Sequence, residues 1–152
     1  MKQYIELELN SKKMRGYEDQ QSDECVVLFH GFTGHKTETG GLFRKIADDL
    51  SAIHISTVRF DWFGHGESDY LFQEIRVPLL LEQAQVILNY AFSKYKKVHL
   101  LGFSMGGAFA IQSSTNKLTS LILLAPAINM GHIALDHFPE GSTAETVDLN
   151  TF

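Results

Sequence analysis

Ile5, Leu7 and Leu9 alternate with Glu6 and Glu8 near the start of the chain. That period-two pattern predicts an edge strand buried on one face, with Lys12 to Tyr17 pairing back as a second strand. Glu24 to Phe29 is different. Its Cys-Val-Val-Leu-Phe run is apolar on both faces and ends in His30-Gly31, which predicts a central strand covered from both sides. Leu42, Phe43, Ile46, Ala47 and Leu50 recur at helical spacing. Ile53 to Phe60 is β-rich, and a glycine-rich turn follows from Asp61 to Ser68. Pro78 suits the first turn of a helix, and Leu79, Leu80, Gln83, Ala84, Ile87, Leu88 and Ala91 then repeat with a period near 3.6. Val98 to Phe103 predicts another buried strand, Met105 to Ser113 a helix of small residues, and Leu121 to Leu124 a last apolar strand.

Strands alternating with helices in this way predict an α/β fold, a mostly parallel sheet carrying helices on both faces. Beyond Pro126 the pattern breaks at Gly131, Pro139, Gly141, Ser142 and Thr143. Residues 1–126 are therefore expected to form the core, and 127–152 the start of a lid or an irregular tail.

The chain has 152 residues, 44% hydrophobic and 20% charged, enough for one domain with a real core. Its eleven Phe serve a core better than a ligand cleft. The formal charge of −5 argues against nucleic acid as a partner. Lys94, Lys96 and Lys97 form the densest basic cluster, and their place at a predicted helix end reads as compensation of the helix dipole. Cys25 is the only cysteine, so no internal disulfide can form, and its apolar surroundings predict a buried, inert thiol. The N-terminus lacks the continuous apolar stretch of a signal peptide, and no apolar run approaches the roughly 18 residues of a membrane span. A cytoplasmic protein is expected.

Gly102-Phe103-Ser104-Met105-Gly106 fits G-x-S-x-G and falls between a predicted strand and a predicted helix. A serine on so tight a turn is forced into a strained backbone conformation, and the residues two before and two after it approach too closely for side chains. Ser104 is thus the candidate nucleophile, with Gly102 and Gly106 as the glycines its turn requires. Gly107 and Ala108 should let the helix pack close to the sheet. Acyl transfer also needs two backbone N–H groups aimed at the tetrahedral oxyanion. Met105, directly after the nucleophile, is the candidate for one. Phe32, in His30-Gly31-Phe32-Thr33-Gly34 after the central strand, is the candidate for the other. A plain glycine-rich strand-to-helix loop is the alternative reading of that segment. Gly31 to Thr37 does not match a phosphate-binding P-loop.

His30-Gly31-Phe32-Thr33-Gly34, then Arg59-Phe60-Asp61 leading into Gly64-His65-Gly66-Glu67-Ser68, then Gly102-Phe103-Ser104-Met105-Gly106-Gly107 occur in this order. From about Ile5 to about Ala127 the chain resembles the small α/β-hydrolases that include cinnamoyl (feruloyl) esterases, monoacylglycerol-lipase-like enzymes and the serine aminopeptidase family. The resemblance implies a carboxylic-ester hydrolase working through an acyl-enzyme on Ser104, with Phe32 and Met105 as oxyanion donors. Its substrate would be a small-molecule ester, and it would need no cofactor and no metal. Haloalkane dehalogenases look similar but carry Asp at the position of Ser104. The resemblance also implies that His30 and His65 hydrogen-bond loops around the site, and that Asp61 anchors its turn.

In this fold the acid and then the base follow the serine along the chain. After Ser104 the candidates are His132, Asp136, His137 and Asp148. None has a predicted strand end beside the serine, and histidines on the surface of a lid are the plainer account of His132 and His137. The chain is therefore expected to be the N-terminal part of a hydrolase, truncated before its acid and base, and to hydrolyse an ester barely above background on its own. The alternatives are a catalytically inactive remnant, or a half that needs a second polypeptide for the acid and base. An uncovered apolar strand at Leu121 to Leu124 would also favour self-association through the sheet edge.

Overall fold

The alternating N-terminal segments form an antiparallel pair, β1 (Lys2–Leu9) and β2 (Lys12–Asp19). Asn10 and Ser11 join them with φ of 53° and 61°, the doubly positive turn that matches the twist of two paired strands. This computed structural model describes residues 2–128. His132, Asp136, His137, Asp148 and nearly all of the expected lid or tail lie outside the described residues.

The chain continues through β3 (Glu24–Phe29), α1 (Leu42–Ala52), β4 (Ser56–Phe60), α2 (Val77–Lys94), β5 (Lys97–Phe103), α3 (Met105–Ser113) and β6 (Ser120–Leu124). The six strands lie in the order β1-β2-β4-β3-β5-β6, and β4, β3, β5 and β6 run parallel. From β3 the chain steps outward to β4, then returns past β3 to β5 on its other side. The strand order thus reverses between β3 and β5, and the carboxyl ends of strands at such a point are where open α/β sheets hold ligands.

Core side chains settle the two faces. Val27, Phe29, Val58, Phe60 and Leu100 pack with Leu80, Ala84, Ile87, Leu88 and Ala91 of α2 and with Met105, Phe109 and Ala110 of α3. On the opposite face Val26, Leu28 and Leu101 pack with Phe43 of α1. Both faces of β3 are therefore buried, as its unbroken apolar run predicts.

Two expectations need correction. Ile53 and the residues beside it do not begin β4, because Ile53 N–H bonds Leu50 O and His54 N–H bonds Ser51 O, closing the end of α1 instead. The lysine cluster is not explained by a helix dipole alone. Lys94 Nζ lies 2.6 Å from the buried Glu18 carboxylate, Lys96 pairs with Asp23 and Lys97 with Glu24. Among the described residues no helix is long and apolar enough to cross a membrane, and Cys25 is buried, which pushes its thiol pKa up.

Candidate active site

β5 ends at Phe103 and α3 begins at Met105, so Ser104 alone makes the turn between them. Its φ of 53° and ψ of −119° lie in territory that side-chain-bearing residues avoid. Hydrogen bonds hold it there. Ser104 N–H donates to Leu124 O, and Ser104 O accepts from the N–H groups of Gly107 and Ala127, at 3.0, 2.9 and 2.9 Å. A Cβ on Gly102 would fall 2.6 Å from Gly107 Cα, and one on Gly106 would fall 2.6 Å from His30 O and closer still to Phe29 O. Such contacts do not occur between real atoms, so the turn is open to glycine alone at both positions. Gly107 faces the segment after β6, where a Cβ would meet Pro126 at 2.8 Å. The positive end of the α3 dipole points at Ser104.

The loop after β3 comes up beside this turn: a Cβ on Gly31 would lie 3.3 Å from Ser104 Cβ. Residues Gly31 to Gly34 close a β-turn through Gly34 N–H to Gly31 O, at 3.1 Å, with Thr33 at a φ of 59°. The N–H groups of this turn can be followed one by one. Gly31 N–H donates to the Glu38 carboxylate, Thr33 N–H to His65 Nε2 and Gly34 N–H to Gly31 O. Phe32 N–H has no acceptor among the described residues. Met105 N–H, at the open first turn of α3, has none either.

His30 is fully buried. Its Nδ1–H donates to Gly31 O at 2.8 Å, and its Nε2 accepts from Trp62 N–H at 3.0 Å. That pattern places the proton on Nδ1, and burial pushes the ring pKa down to about 4. His65 is held in the same way, Nδ1 to Phe63 O and Nε2 to Thr33 N–H, and burial lowers its pKa too. Both rings are neutral loop clamps with their nitrogens in use, and neither is placed to take a proton from Ser104. His99 is remote from the site, at the amino ends of the strands, bonded to Ser120 Oγ and Glu24.

Asp61 anchors more than its own turn. Its carboxylate accepts from Glu67 N–H at 2.8 Å, and from both Lys36 N–H and Lys36 Nζ at 2.6 Å. Lys36 Nζ also pairs with Glu67, so the loop after β3 is bolted to the glycine-rich turn after β4. Gln83 adds a strut from α2, accepting from Phe63 N–H and donating to Asp61 O. Sequence reasoning missed Lys36 and Glu38. Charged residues in a strand-to-helix loop carry no periodic signal, and only their burial, 6% and 3% exposed, sets them apart. Among the described residues no group of His, Cys, Asp or Glu is arranged to hold a metal ion.

A mostly parallel sheet, helices on both faces, and a strained serine between β5 and α3 at the point of strand reversal define the α/β-hydrolase class. Solved structures agree. Est1E from Butyrivibrio proteoclasticus, determined with ferulic acid bound, superposes with a TM-score of 0.79 at 24% identity, over 90% of this chain and 58% of that one. The Pyrococcus furiosus esterase Pf2001 gives 0.73 at 20% identity, over 92% and 58%. The chain belongs to the serine aminopeptidase S33 family, whose model matches residues 20–144. A Bacillus subtilis (strain 168) protein, provisionally named a 2-succinyl-6-hydroxy-2,4-cyclohexadiene-1-carboxylate synthase, is 31% identical over 93 residues, 61% of this chain and 32% of that protein. The chain thus spans about three fifths of those solved structures and about a third of that relative.

Proposed function

We propose that the protein is a carboxylic-ester hydrolase in which Ser104 attacks the ester carbonyl and carries the acyl group, while the N–H groups of Phe32 and Met105 receive the oxyanion. The observation that carries this reading is the hydrogen-bond accounting around Ser104. Where two tightly bonded backbone segments meet at a strained serine, Phe32 N–H and Met105 N–H are both without an acceptor among the described residues, as donors to a tetrahedral oxyanion must be. Strain of this kind costs about 1–3 kcal/mol and is held only where the surroundings enforce it, which favours a working site over an inactive remnant. Substrates would be small-molecule esters, and the net charge of −5 speaks against nucleic acid. The buried, unpaired Cys25 fits a cytoplasmic setting.

The base and acid of this reading come from outside the described residues, because His30, His65 and Asp61 are fully committed to holding loops. Hydrolysis of p-nitrophenyl acetate, with mass spectrometry of the quenched protein, tests the proposal. An acetyl group on the Ser104 peptide, and loss of turnover in Ser104→Ala, are expected. A rate near background that still depends on Ser104 would place the base and acid outside residues 1–152; a fast rate would assign them to residues 129–152. Turnover equal to wild type in Ser104→Ala would overturn the proposal.

The edge of the sheet at β6 supports a further part of this reading, self-association. Leu121, Ile122 and Leu123 are each more than a third exposed, and β6 pairs only with β5 among the described residues.

A further inference from the structure

Glu38 combines two costly features. It is a charged side chain only 3% exposed, and its backbone sits at φ 58° and ψ 164°, a region that is almost glycine's alone. Neither persists without compensation. Glu38 Oε2 accepts from Gly31 N–H at 2.8 Å, Oε1 accepts from Thr39 N–H at 2.9 Å, and Glu38 N–H donates to His35 O at 2.7 Å. The carboxylate fills the inside of the loop so closely that a Cβ on Gly34 would lie 2.8 Å from Oε1.

The bond to Gly31 N–H acts on the peptide plane next to the one that carries Phe32 N–H, with only the two torsions of Gly31 between them. Gly31 O, which belongs to the same plane as Phe32 N–H, points into the loop and accepts from His30 Nδ1 and Gly34 N–H. In a trans peptide C=O and N–H point in opposite directions, so Phe32 N–H is turned out of the loop. Gly31 carries no side chain to fix its own torsions, and its N–H is fixed only by Glu38. We propose that Glu38 is a positioning residue of the site: by holding Gly31 N–H inside the loop, its carboxylate sets the direction of Phe32 N–H as an oxyanion donor. The proposal rests on the hydrolase reading above and gives that reading a residue that never touches substrate.

Two variants of the full chain test it. Glu38→Ala removes both acceptors. Glu38→Gln keeps the shape but offers one acceptor oxygen for two N–H groups. Amide exchange followed by NMR is expected to show Gly31, Thr39 and Gly34 protected and Phe32 unprotected in the wild type. Glu38→Ala should release Gly31, Thr39 and Gly34 together, and Glu38→Gln should release part of this set. Ser104-dependent turnover of p-nitrophenyl acetate should fall roughly ten- to hundredfold in kcat in Glu38→Ala, less in Glu38→Gln, with KM within about twofold, because a misdirected donor weakens the transition state alone. A kcat within about twofold of wild type in a cooperatively melting variant would overturn the proposal. Should Glu38→Ala fail to fold, Glu38→Gln decides by the same criteria. Should the wild type show no Ser104-dependent turnover, the hydrolase reading falls and exchange alone decides. Release of Gly34 would then uphold Glu38 as the residue that orients the turn, and Gly34 left protected would overturn it.

Discussion

His30 ties the loop after β3 to Trp62 at the price of a buried imidazole. Its ordinary pKa of 6.5 falls to about 4 on folding, so between those values the unfolded chain binds more protons than the folded one. Its contribution to stability is complete above pH 6.5 and is lost as pH falls through about 4. His65 shifts in the same direction, also through burial. Urea unfolding from pH 7.5 to 5.5, before most carboxylates titrate, should lose up to about 1.4 kcal/mol per pH unit below 6.5 through His30, with His65 adding in the same direction. His30→Gln should start less stable and show a shallower slope. An unchanged slope would mean that the His30 ring binds its proton equally well in the folded and unfolded chain, against the Trp62 N–H bond that occupies Nε2. At the same scale, Gly106→Ala places a methyl group on the carbonyls of Phe29 and His30. Overpacking of backbone on backbone should cost at least about 1–3 kcal/mol, read as a lower urea midpoint; no loss would contradict the geometry of the turn.

The charged ends of elements divide into those that matter to stability and those that do not. Glu18 of β2 is buried and accepts from Tyr95 Oη at 2.6 Å, Tyr90 Oη at 3.1 Å and Lys94 Nζ at 2.6 Å, fastening β2 to the end of α2. Glu18→Ala leaves those donors without an acceptor and should cost about 3–5 kcal/mol. The pair Lys96–Asp23 is exposed, and replacing either partner should leave stability nearly unchanged. Comparable losses from the two sites in thermal or urea unfolding would refute the distinction.

The same contrast explains what could be read from the sequence. β3, α3 and the Ser104 turn were legible, because apolar runs, small-residue spacing and G-x-S-x-G are local patterns that the fold keeps. The roles of His30 and His65 followed from resemblance and hold as hydrogen bonds in the structure. Glu18, Lys36 and Glu38 were not legible. Lys36 finds Asp61 25 positions away and Glu18 finds Tyr95 77 positions away, and a lone charge looks solvated until its distant partner is known. Lys94 was legible only in part for the same reason: it does stand in the last turn of α2, but its partner on β2 lies far away in the chain.

Across the whole sheet the two outer strands differ in character. β1 presents Lys2, Glu6 and Glu8 along with its apolar residues, and Lys13 and Arg15 of β2 cross to pair with Glu6. β6 presents Leu121, Ile122 and Leu123, and Ile128, just beyond its end, is exposed as well. The proposed self-association should therefore use β6. Light scattering on a size-exclusion column across a dilution series should show a mass that rises with concentration. Replacing Ile122 with Lys should suppress the rise, since a charge on an exposed edge blocks pairing. A single monomer mass at every concentration would remove β6 as a contact.

That difference between the edges also limits how far assembly can run. A sheet with two adhesive borders propagates, each added copy offering a fresh border to the next, and the product is a fibre. Here a second copy joined β6 to β6 about a two-fold axis would leave only charged β1 borders facing outward. Growth would stop at two, and the chain's most adhesive strand would yield a closed pair with no free end from which a filament could lengthen.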